Sequence, residues 1–515
     1  MSSSEAQESP GPGPGPELEP TPAPTARKPS SVAQRVLSEL GLVSLWRSSR
    51  DVKLLCAQRF ARMLGYGVST LILVAYLDAL GVRKTEIGLF MTLTLAGDIG
   101  ISFVLTLFAD ALGRRATLAL GAALMVGSGV VFALSGMYWV LLLAAVVGVI
   151  SPNGNEIGPF RAIEESIVAQ LTVPENRSDL YAWYSLFGLA GAAFGLMTCG
   201  WILQYFTEVL DWDLLYSYRM IYVIYAVIGL FKLTLTLFLS HSVESEKKQR
   251  QRIAAQRRND ETAPLLNGGA DEIQDAILEA IPVAKPSKGL RALLPDISKD
   301  SVSVVTILCF LFALDSFGAG LTPLSWITYY FQWRFGIEKG KLGSIFFVTQ
   351  ILAATSMIVA SSIAKRLGNV KTMVLTHLPS QIFRALIGVT DDVRAALFFC
   401  VINASTASMD TAPRSAFLAT IILPEERTAV MGTLNVVKTT ASSLGPIITG
   451  VLVEHNLYWV SFVASGSLKA LYDVGILIFF KNREKEREKA EQQRLQRDEE
   501  QRDASIEGGH SSGVP

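Results

Sequence analysis

The 515 residues are 50% hydrophobic and only 18% charged, with a mean hydropathy of +0.36, whereas soluble chains carry about 25% charge. The charges crowd into 1–54, 242–300 and 482–515, leaving apolar blocks at 55–241 and 301–481. This distribution excludes a soluble globule, a coiled coil or a disordered scaffold as the whole chain and leaves a polytopic membrane protein. Net charge is zero, so no basic field calls for nucleic acid. The four cysteines (Cys56, Cys199, Cys309, Cys400) lie in or beside apolar runs without CxxC spacing, which argues against a disulfide framework or a zinc site.

In chain order, the cytosolic tail 1–54 opens with a Pro/Gly tract that cannot bury enough surface to fold, and no signal peptide precedes the first span. Val32–Leu55 is amphipathic and reads as lying on the cytosolic membrane face. A bilayer crossing needs about 20 residues, roughly 30 with its turn, so each apolar block has room for about six. Twelve spans are predicted: 57–81, 86–109, 117–135, 138–170, 180–205 and 217–241, then 302–332, 341–364, 371–389, 393–423, 430–453 and 457–480. Arg114/Arg115, Arg177, the central loop, Lys365/Arg366 and the tail 482–515 fall on one side. The positive-inside rule makes that side cytosolic.

The two blocks repeat each other. Arg62-x-x-Gly65-x-Gly67 in span 1 answers Asp315-x-x-Gly318-x-Gly320 in span 7. Gly88 to Gly113 has the same separation as Gly343 to Gly368, and Pro174-Glu-Asn-Arg177 answers Pro424-Glu-Glu-Arg427. Duplicated halves are characteristic of carriers that bind solute between them. The loop Phe108-Ala-Asp110-Ala-Leu-Gly113-Arg114-Arg115 resembles the cytosolic signature of the major facilitator superfamily, with Thr106 and Ala111 departing from the pattern. The glycine-rich segments around Gly195 and around Gly445-Pro446 resemble that family's helix-packing stretches. The resemblance covers 57–480. It implies an all-α membrane protein of two pseudo-symmetric six-helix bundles that works by alternating access, with Asp110, Gly113, Arg114 and Arg115 as a gating loop.

An ionisable group at membrane depth costs at least ~2.5–3.5 kcal/mol on insertion scales, so it faces a cavity or a partner. Span 4 holds Glu156 between Pro152 and Pro159, where the helix should break and free backbone groups toward a cavity. Glu156 precedes Pro159 as Asp410 precedes Pro413 in span 10, and Arg161 corresponds loosely to Arg414. Arg161 also lies at pairing distance before Glu164 and Glu165. Glu164, Glu165 and Arg414 read as local partners or residues in headgroup water. Arg62 and Asp315, of opposite charge at matching positions, read as a salt bridge across the pseudo-twofold axis or a switching pair. Asp98 is a candidate proton carrier, and Lys469 with Asp473 a local pair one helical turn apart. The candidate substrate and proton pathway is thus Glu156, Arg161, Asp315, Asp410, Arg62 and Asp98. Trp183, Tyr184, Trp326, Tyr329 and Tyr330 either line a solute pocket or anchor and pack the helices.

Glu261-Thr-Ala-Pro-Leu265-Leu266 in the central loop looks like an acidic dileucine sorting signal, the kind an adaptor reads for delivery to a vacuolar or lysosome-like membrane. The plasma membrane is the alternative. No nucleotide-binding loop, HExxH or GxSxG is present, so no enzyme chemistry and no metal or cofactor is expected. The reading is a monomeric secondary transporter of a small organic solute, driven by protons. A uniporter and a non-transporting sensor on the same scaffold are the alternatives.

Overall fold

Helix satisfies every backbone polar group internally, which hydrocarbon demands, and helix occupies each predicted span. The computed structural model describes residues 41–148, 150–152, 159–173, 176–244, 299–423 and 426–481. A short helix, α1 (Leu42–Arg47), precedes α2 (Arg50–Ala79), whose first turn is capped by the Ser49 hydroxyl. The first bundle continues with α3 (Lys84–Leu112), α4 (Arg114–Leu134), α5 (Tyr138–Val147), α6 (Pro159–Leu171), α7 (Arg177–Gln204) and α8 (Leu214–Leu237). The second contains α9 (Lys299–Leu321), α10 (Leu324–Phe335), α11 (Lys339–Leu367), α12 (Asn369–Val389), α13 (Val393–Ala407), α14 (Thr411–Ile421), α15 (Arg427–Glu454) and α16 (Tyr458–Lys481). Among the described residues, 8 helical stretches are long and apolar enough to cross a membrane on those grounds alone. The α12 stretch is not one of them, being interrupted in its apolar pattern by His377, Gln381 and Arg384.

Two predicted spans hold two helices each: α5 ends at Val147 before α6 starts at Pro159, and a turn at 408–410 divides α13 from α14. The carbonyls released after α5 find hydroxyl partners, Thr70 Oγ1 to Ser151 O at 3.2 Å and Ser325 Oγ to Pro152 O at 2.5 Å. The span expected as continuous over 302–332 is also divided, into α9 and α10. Pro323 lacks an amide hydrogen to continue the ladder, and the Leu321 carbonyl turns to Thr449 Oγ1 at 2.5 Å.

The bundles meet unequally along their length. At the end away from the arginine-rich loops one apolar core is shared, with Tyr76, Phe90 and Tyr222 from the first bundle and Trp326, Phe331 and Phe462 from the second. At the end of the arginine-rich loops there are two separate cores, one around Phe160 and Leu180, the other around Phe312, Phe417 and Phe480. Two glycine contacts join the bundles. A side chain at Gly88 would strike the Pro446 carbonyl and sit 3.0 Å from the Gly450 Cα, while one at Gly200 would sit 3.2 Å from the Gly343 Cα. Backbones therefore touch along α3/α15 and again along α7/α11.

Candidate functional site

The buried charges gather into one cluster per bundle. In the first, Arg62 on α2 grips Glu164 on α6 with two bonds of 2.7 Å, and both side chains are at most 2% exposed. The Tyr184 hydroxyl donates to Glu164 Oε2, and buried Lys232 on α8 adds a positive field. Arg59 lies 4.3 Å from the Tyr184 ring centre and bonds its hydroxyl at 3.1 Å. In the second bundle Asp315 on α9 accepts from Lys469 on α16 at 2.5 Å and from Arg414 on α14 at 3.3 Å. Arg414 also pairs with Asp410, and His377 Nδ1 lies 2.9 Å from both Asp473 oxygens.

Repeat register explains the likeness. Arg62 and Asp315 match through their glycines, and Glu164 and Arg414 stand equally far before Pro174 and Pro424. Gly229 packs on Val126 and Gly466 on Gln381, residues equally distant from Gly113 and Gly368, so Lys232 and Lys469 match as well. The acid and arginine have changed places between halves while the lysine has not. The same architecture thus tolerates an Arg–Glu pair in one bundle and an Asp–Arg pair in the other.

Four expectations are corrected by this geometry. Arg62 and Asp315 do not bond each other; each spends its charge inside its own bundle. Lys469 and Asp473 do not pair either, because Lys469 reaches Asp315 and Asp473 reaches His377. Glu164 is not in headgroup water but 0% exposed. Arg161 does not match Arg414 in the register: it pairs with Glu165 at 2.7 Å on a half-exposed face.

Asp98 on α3 differs from all of these. It is 7% exposed, Ser102 serves one side of the carboxyl, and Oδ1 has no hydrogen-bond partner. It faces a small cavity of about 10 Å³ bounded by Thr94, Ile150, Ser151 and Pro152, beside the break between α5 and α6. At the matching place in the second bundle stands Ala353, and there the cavity grows to about 250 Å³, bounded in part by Thr349, Arg384 and Asn403.

The sequence profile of the Major Facilitator Superfamily matches residues 55–383 and 308–506. The chain belongs to that superfamily. The uncharacterized membrane protein YJR124C of Saccharomyces cerevisiae is 36% identical over 436 residues, covering 84% of this chain and 94% of the yeast protein. The inward open xylose transporter XylE from E. coli has a TM-score of 0.61 at 14% identity, covering 83% of this chain and 96% of its own. A bacterial homolog of the human lysosomal transporter Spinster, inward-facing and unoccupied, has a TM-score of 0.60 at 14% identity, covering 84% and 97%. The nucleoside transporter NupG has a TM-score of 0.60 at 14% identity, covering 84% and 100%. These structures share the fold of this superfamily member, an integral multi-pass membrane protein and transporter.

The signature loop of this superfamily is only partly described. Asp110 falls in the last turn of α3 with its side chain outside the described residues, and Gly113 takes φ 96° between α3 and α4, a conformation glycine adopts without strain. The Arg114 amide is capped by Glu244 Oε2 at 2.9 Å, the Arg114 guanidinium bonds Gln170, and Arg115 bonds the Leu237 carbonyl. Gly195 lies against the Leu64 carbonyl and Gly67, and Gly445 against Gly320; Pro446 is inside α15. Glu156, Glu261, Leu265 and Leu266 lie outside the described residues. Tyr184 and Trp326 are wholly buried, Tyr329 and Tyr330 nearly so, with Tyr329 donating to Asp78 at 2.8 Å across the bundles. Arg59, Lys232, His377 and Arg384 escaped sequence reasoning. Register alone could have found Lys232, since it matches Lys469.

Proposed function

We propose that the chain moves a small organic solute by alternating access and couples that movement to protons. The observation that carries the first part is the uneven joining of the bundles. One shared core seals the end away from the cytosol while the cytosolic ends keep separate cores. A rocking carrier must make and break one such seal per cycle. Polar bonds hold its outer rim: Thr85 N to Glu454 Oε2 at 3.0 Å and Tyr329 to the half-exposed Asp78 at 2.8 Å. They exchange readily for water.

Coupling is assigned to Asp98 and Glu156. Asp98 Oδ1 is a buried oxygen free to receive a proton, whereas both oxygens of Asp315 are committed to cations. Glu156 follows Pro152 by four residues in the chain, and Pro152 itself lines the Asp98 cavity. Asp110 and the arginines beside it act as the cytosolic gate, and the dileucine at Leu265/Leu266, with Glu261, directs the protein to an internal membrane through an adaptor.

Purified protein in sealed vesicles loaded with a pH dye tests this. A transported solute should carry protons with it, and Asp98→Asn should lose gradient-driven accumulation while keeping solute-for-solute exchange. If Asp98→Asn and Glu156→Gln both accumulate solute with wild-type pH dependence, coupling runs through other groups; if the wild-type protein equilibrates solute without accumulating it, the protein is a uniporter. Absence of flux for every solute would leave the sensor.

A further inference from the structure

We infer that the solute is an anion, a small carboxylate or phosphate, and that Arg384 is the residue that binds its charge. This deepens the transport reading and rests on it for the identity of the cavity. The cavity between α9, α11, α12 and α13 has a volume of about 250 Å³, and among the described residues lining it Arg384 is the only charged one. That is space for roughly eight waters at ~30 Å³ each, the size of a small acid.

The other cations near this half-buried arginine are answered by the protein, Lys438 by the Phe312 ring at 5.5 Å. Lys469 and Arg414 answer Asp315 and Asp410, and Asp473 is held by His377. Arg384 has for protein partner the Thr322 hydroxyl at 2.8 Å, and its Nε bonds nothing. It forms no ion pair among the described residues. Asp315 attracts it through space, but the Asp315 oxygens are bonded to Arg414 and Lys469; a guanidinium at membrane depth without a bonded acid is costly, and its planar fork suits a carboxylate or phosphate that binds through two oxygens.

Its place in the repeat argues against a scaffolding role. Counting from Gly368 and Gly113, Arg384 falls where the first bundle has Gly129 packed on Ala226. The fold therefore closes at this position without any side chain. Around Arg384 the cavity is also lined by the Gln350 amide and the Ser408 hydroxyl, which bond no side chain or carbonyl among the described residues. Thr349 and Asn403 add further polar edges. An anion bearing hydroxyl or amino substituents would find its charge and its polar body satisfied in one site.

Thermal midpoints of the full-length protein in detergent would be compared with lactate, malate, citrate, benzoate and inorganic phosphate, beside neutral lactamide, glucose and uridine. One or more anions should raise the midpoint; Arg384→Gln should lose that shift and Arg384→Lys keep part of it. A second arm needs no ligand and detects misfolding. In a background without Cys56, Cys199, Cys309 and Cys400, Ala404→Cys should react faster with a negative methanethiosulfonate than with a positive one of equal size, and Arg384→Gln should remove that preference. No response to any anion, a shift from neutral solutes alone, or an anion shift that survives Arg384→Gln would overturn the assignment. Anion binding without flux in vesicles would keep Arg384 and remove the carrier reading. Flux of neutral solutes alone would keep the carrier and overturn the anion.

Discussion

Glu164→Gln keeps the size of the side chain but removes the charge that Arg62 and Lys232 face. Arg62 is 1% exposed and Glu164 0%, so water cannot replace the lost partner. Breaking a buried pair from one side costs about 3–5 kcal/mol. At about 1.4 kcal/mol per decade, the folded population relative to unfolded falls by roughly two to three and a half powers of ten. For a unit of about 150–250 residues, 1 kcal/mol shifts the midpoint by about 2–4 °C, which predicts a loss of about 6–20 °C. The reciprocal exchange Arg62→Glu with Glu164→Arg should recover about half of it or more. The second bundle already folds with the acid on the first helix, between an arginine on the fourth span and a lysine on the last. Melting in detergent, followed by the monodisperse fraction on size exclusion, reads both. Wild-type melting of Glu164→Gln, or a double variant no better than the worse single one, would refute the matched-register account.

Gly88→Leu should force α3 from the Pro446 carbonyl and lower transport. Cross-linking between Thr85→Cys and Glu454→Cys, whose parent residues touch at 3.0 Å, should fall with it, and undiminished cross-linking would disprove the glycine seal. Asp110→Asn should slow transport with little loss of folded protein, because one state loses a charge-assisted contact while the cores are untouched; wild-type turnover would count against a gating role. Replacing Leu265 and Leu266 by alanine should move a fluorescent fusion from an internal membrane to the cell surface with flux in vesicles unchanged, and an unmoved fusion would leave the motif without function.

Hydropathy was enough to locate the helices, because the demand that backbone groups be satisfied in hydrocarbon leaves helix as the form an apolar span takes in a bundle. The break near Pro152/Pro159 was legible for the same reason that prolines break soluble helices, whereas the division of 393–423 into α13 and α14 was not foreseen. The break at Pro323 was missed: the residues around it are apolar and aromatic on both sides, and the Thr449 hydroxyl that accommodates it comes from α15, more than a hundred residues away in the chain.

Which charges meet was decided only by tertiary structure. A sequence places Arg62, Glu164 and Lys232 on three helices and says nothing of their azimuth, so local spacing favoured Arg161 with Glu164 or Glu165, and Lys469 with Asp473. Helix packing turned Glu164 inward to Arg62 and left Arg161 with Glu165 at the surface. It likewise carried Lys469 to Asp315 and left Asp473 to His377. Pairing inside a low-dielectric bundle depends on distance across helices, and distance across helices is what a linear pattern does not contain. The repeat narrows that gap, since two copies of one bundle must solve the same burial problem at the same positions. Arg384 stands outside even that rule: its matching position is Gly129, and its meaning comes from the cavity that α9, α11 and α13 close around it.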